Sequence, residues 1–318
     1  MPLLTHLHKE YPGVLITWVC GEQVRPLLES TGLIHEVIVI NDKKLLIGSF
    51  FSKIRVLFSL WIRLFLRSFD LCLTAYSDPR YKLLSLTTLS KIKRGFYRDY
   101  RGAFPIPGRY HTYEYLRLIR REVEPLNLIP EFPKLNLPKY EKGGKPRIIL
   151  APGGARNLLA DSPMRRWPIE SYRELLRLLN TLPVEIMITG AESDKWVTDY
   201  FTDSIYTNLI GKLSLLELVG LLEGAELLIT HDSGPLHLGK LVNIPTIALF
   251  GPTNPLEFVG PKLEHGHIKV LWGGENLLCS PCYDGKCYAK CSTHECLKNI
   301  NPQDVFQYVV SRVKSSLK

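Results

Sequence analysis

The segment Ile229-Thr-His-Asp-Ser-Gly-Pro-Leu-His237 joins an apolar run to a helix start in a way that suits an anion. Residues 226–229 read as a buried strand, which stops at Asp232, Ser233, Gly234 and Pro235. Leu236, Leu238, Leu241 and Val242 then follow a helical pattern. Ser or Asp at an N-cap and Pro in the first turn are start signals for a helix. A strand that feeds straight into a helix N-terminus gathers free backbone N–H groups and the positive dipole end in one place, which favours phosphate. Gly234 has no side chain to hold a diphosphate away from that backbone. His237, one turn on, is placed to hydrogen-bond a phosphate oxygen. A second strand, 246–250, ends in another turn, Gly251-Pro-Thr253, beside the first.

Four more segments of the second half belong to the same predicted rim. Pro152-Gly-Gly-Ala155 makes a tight turn after a strand, where Gly154 and Ala155 let the backbone approach a ligand. Met164-Arg-Arg-Trp-Pro168 precedes a helix and carries Arg165. Gly190-Ala-Glu192 follows the next strand, and Gly211-Lys-Leu-Ser-Leu215, with Leu213, precedes another helix. Each has a local explanation: turn glycines, a cap by Ser214, a surface Arg pair, a helix-starting Glu192. Their recurrence after successive strands is what argues for a shared ligand site.

The elements that must position these residues alternate. In the first half, 3–11, 24–29, 81–89 and 113–123 read as helix, and 15–20, 36–40, 71–75 and 92–97 as strand. Pro130, Pro133, Pro138, Gly143, Gly144 and Pro146 then mark a linker over 130–146. It divides a domain at 1–129 from one at 147–318. The second half predicts strands at 148–151, 184–189, 226–229 and 246–250. Helices near 169–179, 194–200, 215–222 and 236–241 separate or follow them. Strict alternation implies α/β architecture, with parallel sheets covered by helices on both faces and ligands at the strands' carboxyl ends.

At 318 residues, 45% of them hydrophobic and 22% charged, the chain is long enough for two ordinary globular domains. Its net charge of +9 is unevenly placed. Residues 1–145 hold 23 Lys+Arg against 13 Asp+Glu (+10), and 146–318 hold 17 against 18 (−1). The excess is densest over 53–101 and implies an anionic partner: nucleic acid, acidic lipid or phosphorylated glycolipid. No recognisable nucleic-acid module accompanies the charge, which makes nucleic acid the weakest of the three. The start of the chain has neither the long apolar core nor the cleavage site of a signal peptide. The apolar region 45–73 carries Lys53, Arg55, Arg63 and Arg67, too many charges for a spanning helix. Ile54, Leu57, Phe58, Trp61, Phe65 and Phe69 recur at three- and four-residue steps, so it reads as an amphipathic basic helix. Two readings stay open there: a helix lying on an anionic membrane surface, or a core helix with snorkelling arginines.

Five of the seven cysteines, Cys279, Cys282, Cys287, Cys291 and Cys296, fall close together with His294 beside them. The spacing allows a zinc or iron–sulfur knuckle or redox-active thiols.

The stretch from His231 to Leu238, followed by Pro245-Thr-Ile-Ala-Leu-Phe-Gly-Pro-Thr253 and by Pro255 and Pro261, resembles the signature of glycosyltransferase family 9. These are the ADP-heptose:lipopolysaccharide heptosyltransferases. The resemblance implies a GT-B fold: two Rossmann-like parallel-sheet domains facing a cleft. It places Arg165 where the family usually has a diphosphate-contacting Lys, changing a point ammonium into a planar fork. It gives Glu192 the ribose hydroxyls, Leu213 the adenine, Ser233 and Gly234 backbone donors to the diphosphate, and Asp232 and His237 the phosphate flanks. Gly154 and Ala155 match a turn that often bears hydroxyls in the family, and here only backbone serves. The Cys-Ser-Pro-Cys stretch also matches the family, where it is a thiol-rich structural loop. The implied partners are an ADP-heptose donor, a phosphorylated Kdo-lipid A or core acceptor, and an anionic membrane surface, with no nucleic acid. The implied location is cytoplasmic, peripheral on the inner face of the inner membrane.

The family begins with a strand and a Gly-Asp loop whose Asp is the acceptor's base. Residues 2–12 resemble the helix after that loop. The expectation is therefore an incomplete N-terminal domain, from a start placed too late, with no nameable catalytic residue. No cofactor or metal is expected, since no Asp-x-Asp pair sits in a suitable place. Charge on a departing diphosphate would fall to helix N–H groups, Arg165 and His237. The leading expectation is inverting, metal-independent transfer of heptose from ADP-L-glycero-D-manno-heptose to the lipopolysaccharide inner core. The alternatives are a related transferase with another sugar, or a nucleotide-sugar-binding remnant.

Overall fold

The computed structural model describes residues 1–76, 79–96, 108–119, 130–140, 143–261, 266–284 and 287–316. The chain forms two compact units, Met1–Asn136 and Leu137–Lys318.

In the second unit six parallel strands form one sheet: β5 (Arg147–Ala151), β6 (Glu185–Ile188), β7 (Thr207–Asn208), β8 (Leu227–His231), β9 (Thr246–Phe250) and β10 (Ile268–Trp272). Their order is β10-β9-β8-β5-β6-β7. The sheet grows from β5 in both directions, so the chain reverses its direction of winding between β5 and β8. Open α/β sheets bind ligands beyond the carboxyl ends of strands at such a point.

Period-two alternation decides which side chains face which layer. Ile148, Leu150, Ile186, Ile188, Leu227 and Ile229 point to one face. There they pack on Tyr172, Leu175 and Leu179 of helix Ile169–Leu179 and on Val305, Val309 and Val313 of helix Pro302–Ser316. Ile149, Ala151, Met187 and Leu228 point to the other face, against Leu218, Leu221 and Leu222 of helix Leu215–Glu223. With both faces covered, β5, β8 and β9 are buried along their whole length. That explains their legibility as apolar runs. β10 is half-exposed and was not expected.

The first unit holds two separate two-stranded parallel ribbons, β1 (Thr17–Gly21) with β2 (Glu36–Ile40) and β3 (Ser68–Thr74) with β4 (Leu89–Gly95). Trp18 and Cys20 share one apolar cluster with Leu71 and Leu73, under Leu3, Leu4 and Leu7 of helix Pro2–Glu10. Val19, Ile38 and Phe69 share another, under Leu60 and Leu64 of helix Phe50–Leu64. The ribbons thus lie between the same two cores, with no ladder joining β1 to β3 among the described residues. Arg67 stitches their ends, donating to Glu36 at 2.5 and 3.1 Å and to the Thr17 hydroxyl at 3.5 Å. A partly exposed pair of this kind contributes up to about 1 kcal/mol. Each fully buried Leu or Ile contributes about 1.5–3 kcal/mol, so packing holds the ribbons together.

Several boundaries differ from expectation. The helix expected over 81–89 is a 3-10 turn, Pro79–Ser85, followed by β4. The helix expected over 194–200 is also 3-10, Glu192–Tyr200. The expected helix over 113–123 begins earlier, as His111–Arg117, and 120–123 lie outside the described residues. The amphipathic region is two helices, Asp42–Ile47 and Phe50–Leu64, and Phe69 belongs to β3. No helix among the described residues is long and apolar enough to cross a membrane.

Candidate functional site

β5 and β8 deliver two turns to one point. Past β5 the chain turns through Gly153, Gly154 and Ala155, with Gly154 at φ +82° and Ala155 at φ +54°. A Cβ on Gly154 would stand 3.3 Å from Ser233 Cβ, so the post-β5 turn lies directly on the residue that opens helix Gly234–Leu241. Ala155 is a left-handed non-glycine, an uncommon state, and is buried. Past β8, Ser233 takes an extended conformation as N-cap, with no side-chain cap bond. Its hydroxyl lies instead 3.2 Å from the Thr230 hydroxyl. The helix therefore starts without a side-chain cap: Pro235 has no N–H, and Leu236 N donates to the Ser233 carbonyl at 3.2 Å. Gly234 is exposed, and a Cβ added to it would meet nothing within 4 Å. His237 is also exposed, one turn along, with its ring 6.4 Å from that of Phe258.

Asp232 is buried and faces inward. Its Oδ2 accepts from the Thr253 hydroxyl at 3.0 Å and lies 3.5 Å from Arg165 Nη1. Burial raises the Asp232 carboxyl above the usual range, and Arg165 and Thr253 pull it partly back. Thr253 comes from the turn after β9, so the turns of β8 and β9 are tied through Asp232. His231, one residue earlier, is fully buried, with Nδ1 3.3 Å from the Tyr172 hydroxyl. Burial, reinforced by the Arg165 and Arg166 charges, pushes its imidazole down to about 3.

The post-β5 and post-β6 turns are joined by a residue not singled out in the sequence. Asp194 is buried; its Oδ1 accepts from Gly154 N at 3.0 Å and its Oδ2 from Ala191 N at 2.8 Å. A Cβ on Gly153 would fall 2.4 Å from Asp194 Cγ, and one on Gly190 would fall 3.0 Å from its Cβ. Glycine is required at Gly153 for this approach, and Gly190 is tight. Gly211 N donates to Gly190 O at 2.9 Å, and the Glu192 carboxylate lies against Gly211. Glu192 is otherwise exposed and paired with Lys195. Leu213 is half-buried at the edge of the core beneath helix Leu215–Glu223. That helix opens with the expected Ser214 cap and a reciprocal bond to Glu217.

A continuous arc results: Arg165 and Asp232, Ser233 and Gly154, Asp194, then Glu192, Gly211 and Leu213. Ala155 closes the first turn, accepting from Ser162 N. His237 lies one helical turn on from Gly234. A helix end without a side-chain cap, a guanidinium, an exposed carboxylate and an apolar shelf together suit an anionic tail, a diol and a flat base.

The cysteine-rich loop packs beside this arc. Ser280 Oγ and Trp272 Nε1 donate to Gly251 O, and Cys282 N donates to Pro252 O. Tyr283 and Tyr288 stack at 4.7 Å between ring centroids. Burial raises both phenols, while the nearby Arg165 charge lowers them and Asp232 raises them. These two rings, missed in the sequence, border the Arg165–Asp232 pair. The cysteines are unpaired thiols, and among the described residues no three His, Cys, Asp or Glu side chains converge as a metal site.

The family model of glycosyltransferase family 9 (heptosyltransferase) matches residues 126–292. The chain is 32% identical over 151 residues to lipooligosaccharide heptosyltransferase 2 of Haemophilus influenzae, covering 44% of this chain and 42% of that protein. It thus spans less than half the length of that curated relative. It is 22% identical over 277 residues to lipopolysaccharide core heptosyltransferase OpsX of the same organism, covering 80% and 76%. Among solved structures, a glycosyl transferase family 9 protein from Veillonella parvula superposes with a TM-score of 0.76 at 20% identity, over 99% of this chain and 92% of that one. The E. coli ADP-heptose lps heptosyltransferase II gives 0.72 at 21%, over 100% and 95%. These likenesses establish the fold as GT-B.

Proposed function

From the membership of this chain in glycosyltransferase family 9, the heptosyltransferases, we propose that it transfers heptose from ADP-L-glycero-D-manno-heptose to the inner core of lipopolysaccharide. The transfer is inverting and needs no metal. It takes place at the cytoplasmic face of the inner membrane, where a soluble nucleotide sugar meets a phosphorylated Kdo-lipid acceptor.

One observation carries the donor part of this reading. The turn after β5 meets the start of helix Gly234–Leu241 at the sheet's winding reversal, with a Gly154 Cβ position 3.3 Å from Ser233. In that seat the diphosphate takes backbone N–H groups of the helix end. Arg165 neutralises it from one side and His237 donates from the other. Glu192 takes the ribose diol, and Leu213 lies against adenine. As the glycosidic bond breaks, negative charge grows on the diphosphate oxygen. Donors fixed in place by Asp194 and the sheet stabilise that charge without reorganising.

The test has two arms. Titration calorimetry with ADP, UDP and GDP is expected to give binding for ADP alone. A transfer assay with ADP-heptose and a Kdo-lipid acceptor is expected to give product of inverted anomeric configuration, unaffected by a chelator. Absence of ADP binding sinks the donor site; ADP binding without turnover, by this chain and by an upstream-extended form alike, leaves a nucleotide-sugar-binding protein and sinks the transferase.

A further inference from the structure

Helix Phe50–Leu64 buries one apolar stripe and leaves another open. Leu60 and Leu64 are buried, in the core that covers β1, β2 and β3. On the opposite side Phe51 is 82% exposed, Ile54 46%, Phe58 59% and Ile62 61%. These positions follow one another at steps of three and four, so they form a single stripe along the helix. Phe65 and Leu66, just past its end, extend the stripe and are also exposed. A surface helix ordinarily turns a polar face to water, and one that is apolar on both sides has a second partner. The sequence pattern put Ile54, Leu57, Phe58, Trp61 and Phe65 on one face. The structure divides them: Leu57 and Trp61 are half-buried, and the rest point outward.

The charge around the stripe identifies the partner. Between Asp42 and Asp70 the chain carries Lys43, Lys44, Lys53, Arg55, Arg63 and Arg67 and no acidic residue. Arg55 and Arg63 flank the stripe along one edge, both exposed. A hollow of about 490 Å³ opens beside Phe51, with Lys44, Arg55 and Arg63 on its wall. Aromatic and aliphatic side chains fit the acyl boundary, and flanking cations fit the phosphates just above it. A protein partner of matching shape would have to be acidic and apolar at once, and a second copy of this basic face would be repelled.

We infer that helix Phe50–Leu64 lies in the interface of an anionic phospholipid bilayer, with Phe51, Ile54, Phe58 and Ile62 in the acyl boundary and Lys44, Arg55 and Arg63 among the headgroup phosphates. This deepens the peripheral location proposed above and rests on that reading, but the helix is assayed without turnover. The full chain is floated with phosphatidylcholine vesicles and with vesicles that also contain phosphatidylglycerol, alongside the double variant Phe51→Ser, Phe58→Ser and the single variant Arg55→Gln. ADP calorimetry on the same preparations reports that the second unit is intact.

The wild-type chain is expected to float with anionic vesicles and weakly with neutral ones. The double variant is expected to lose roughly tenfold or more in binding, with unfolding and ADP affinity unchanged because both side chains are exposed. Arg55→Gln is expected to weaken binding less and to reduce its salt dependence. Undiminished flotation of the double variant overturns the inference, as does equal binding to both vesicle types. So does a dimer that forms without lipid and dissolves in the double variant, which would make a second copy the occupant. Normal flotation by a chain that fails to bind ADP would sink the donor reading and leave this surface standing.

Discussion

Asp194 does more to shape the candidate site than any residue whose type advertised chemistry. A carboxylate reads as a helix-starting or solvent-facing group unless its donors are known, and here both oxygens are spent on backbone N–H groups of two different turns. That role depends on Gly153 and Gly190 lying close beside it in space, which no pattern in the chain reveals. Asp194→Ala is expected to cost about 3 kcal/mol in urea unfolding, since bonds to a charged acceptor contribute about 1.5–3 kcal/mol each. It should also weaken ADP binding about tenfold or more in calorimetry, with Asn, which keeps one acceptor, falling between. His231 makes a second prediction. Its folded-state value of about 3 lies below the ordinary 6.5. The unfolded chain therefore binds the extra proton between those values. Stability is full above pH 6.5 and is lost as pH falls toward 3, by up to about 1.4 kcal/mol per pH unit. His231→Phe keeps the ring and removes the proton, so urea midpoints measured across that window should fall less steeply for the variant than for the wild type.

At the scale of elements, the second unit was the more readable. β5, β8 and β9 announce themselves as apolar runs because both faces of the sheet are covered. The helix start at Gly234 was legible because Ser233 and Pro235 are start signals by residue type, although the Ser233 side chain makes no cap bond. β10 was illegible: Lys269 breaks the apolar run of a half-exposed edge strand. The outward face of helix Phe50–Leu64 was illegible for another reason. Periodicity identifies apolar positions but cannot say which of two apolar stripes meets the core. Of the residues singled out as parts of one rim, Gly154 and Ser233 lie against each other, while Arg165 lies against Asp232, which turns inward to Thr253. The helix end itself yields a prediction that separates folding from binding. Gly234 is exposed, not left-handed, and open on all sides. Gly234→Ala should therefore leave the unfolding midpoint unchanged or slightly raised. If a diphosphate docks on that backbone, the added methyl should cost roughly tenfold or more in ADP affinity; unchanged affinity would place the nucleotide elsewhere.

The whole molecule is two units of unequal construction. The unit Leu137–Lys318 has one continuous six-stranded sheet with helices on both faces and its own clusters of fully buried side chains. Expressed alone, it is expected to unfold in a single cooperative transition and to bind ADP within about threefold of the full chain, since every residue of the arc lies in it. Broad, non-cooperative melting of the fragment would show that the core needs the rest of the chain. The unit Met1–Asn136 is differently made. Its two ribbons are held to each other by side chains and by Arg67, while each ribbon is held internally by backbone. Sliding one ribbon along its neighbour breaks none of the ladder bonds described, but it breaks the Arg67 bonds to Glu36 and Thr17 and shifts the apolar contacts. The first unit is therefore expected to yield along that join before either ladder opens, and amide exchange that is no faster in β1–β4 than in the six-stranded sheet would count against such a weakness.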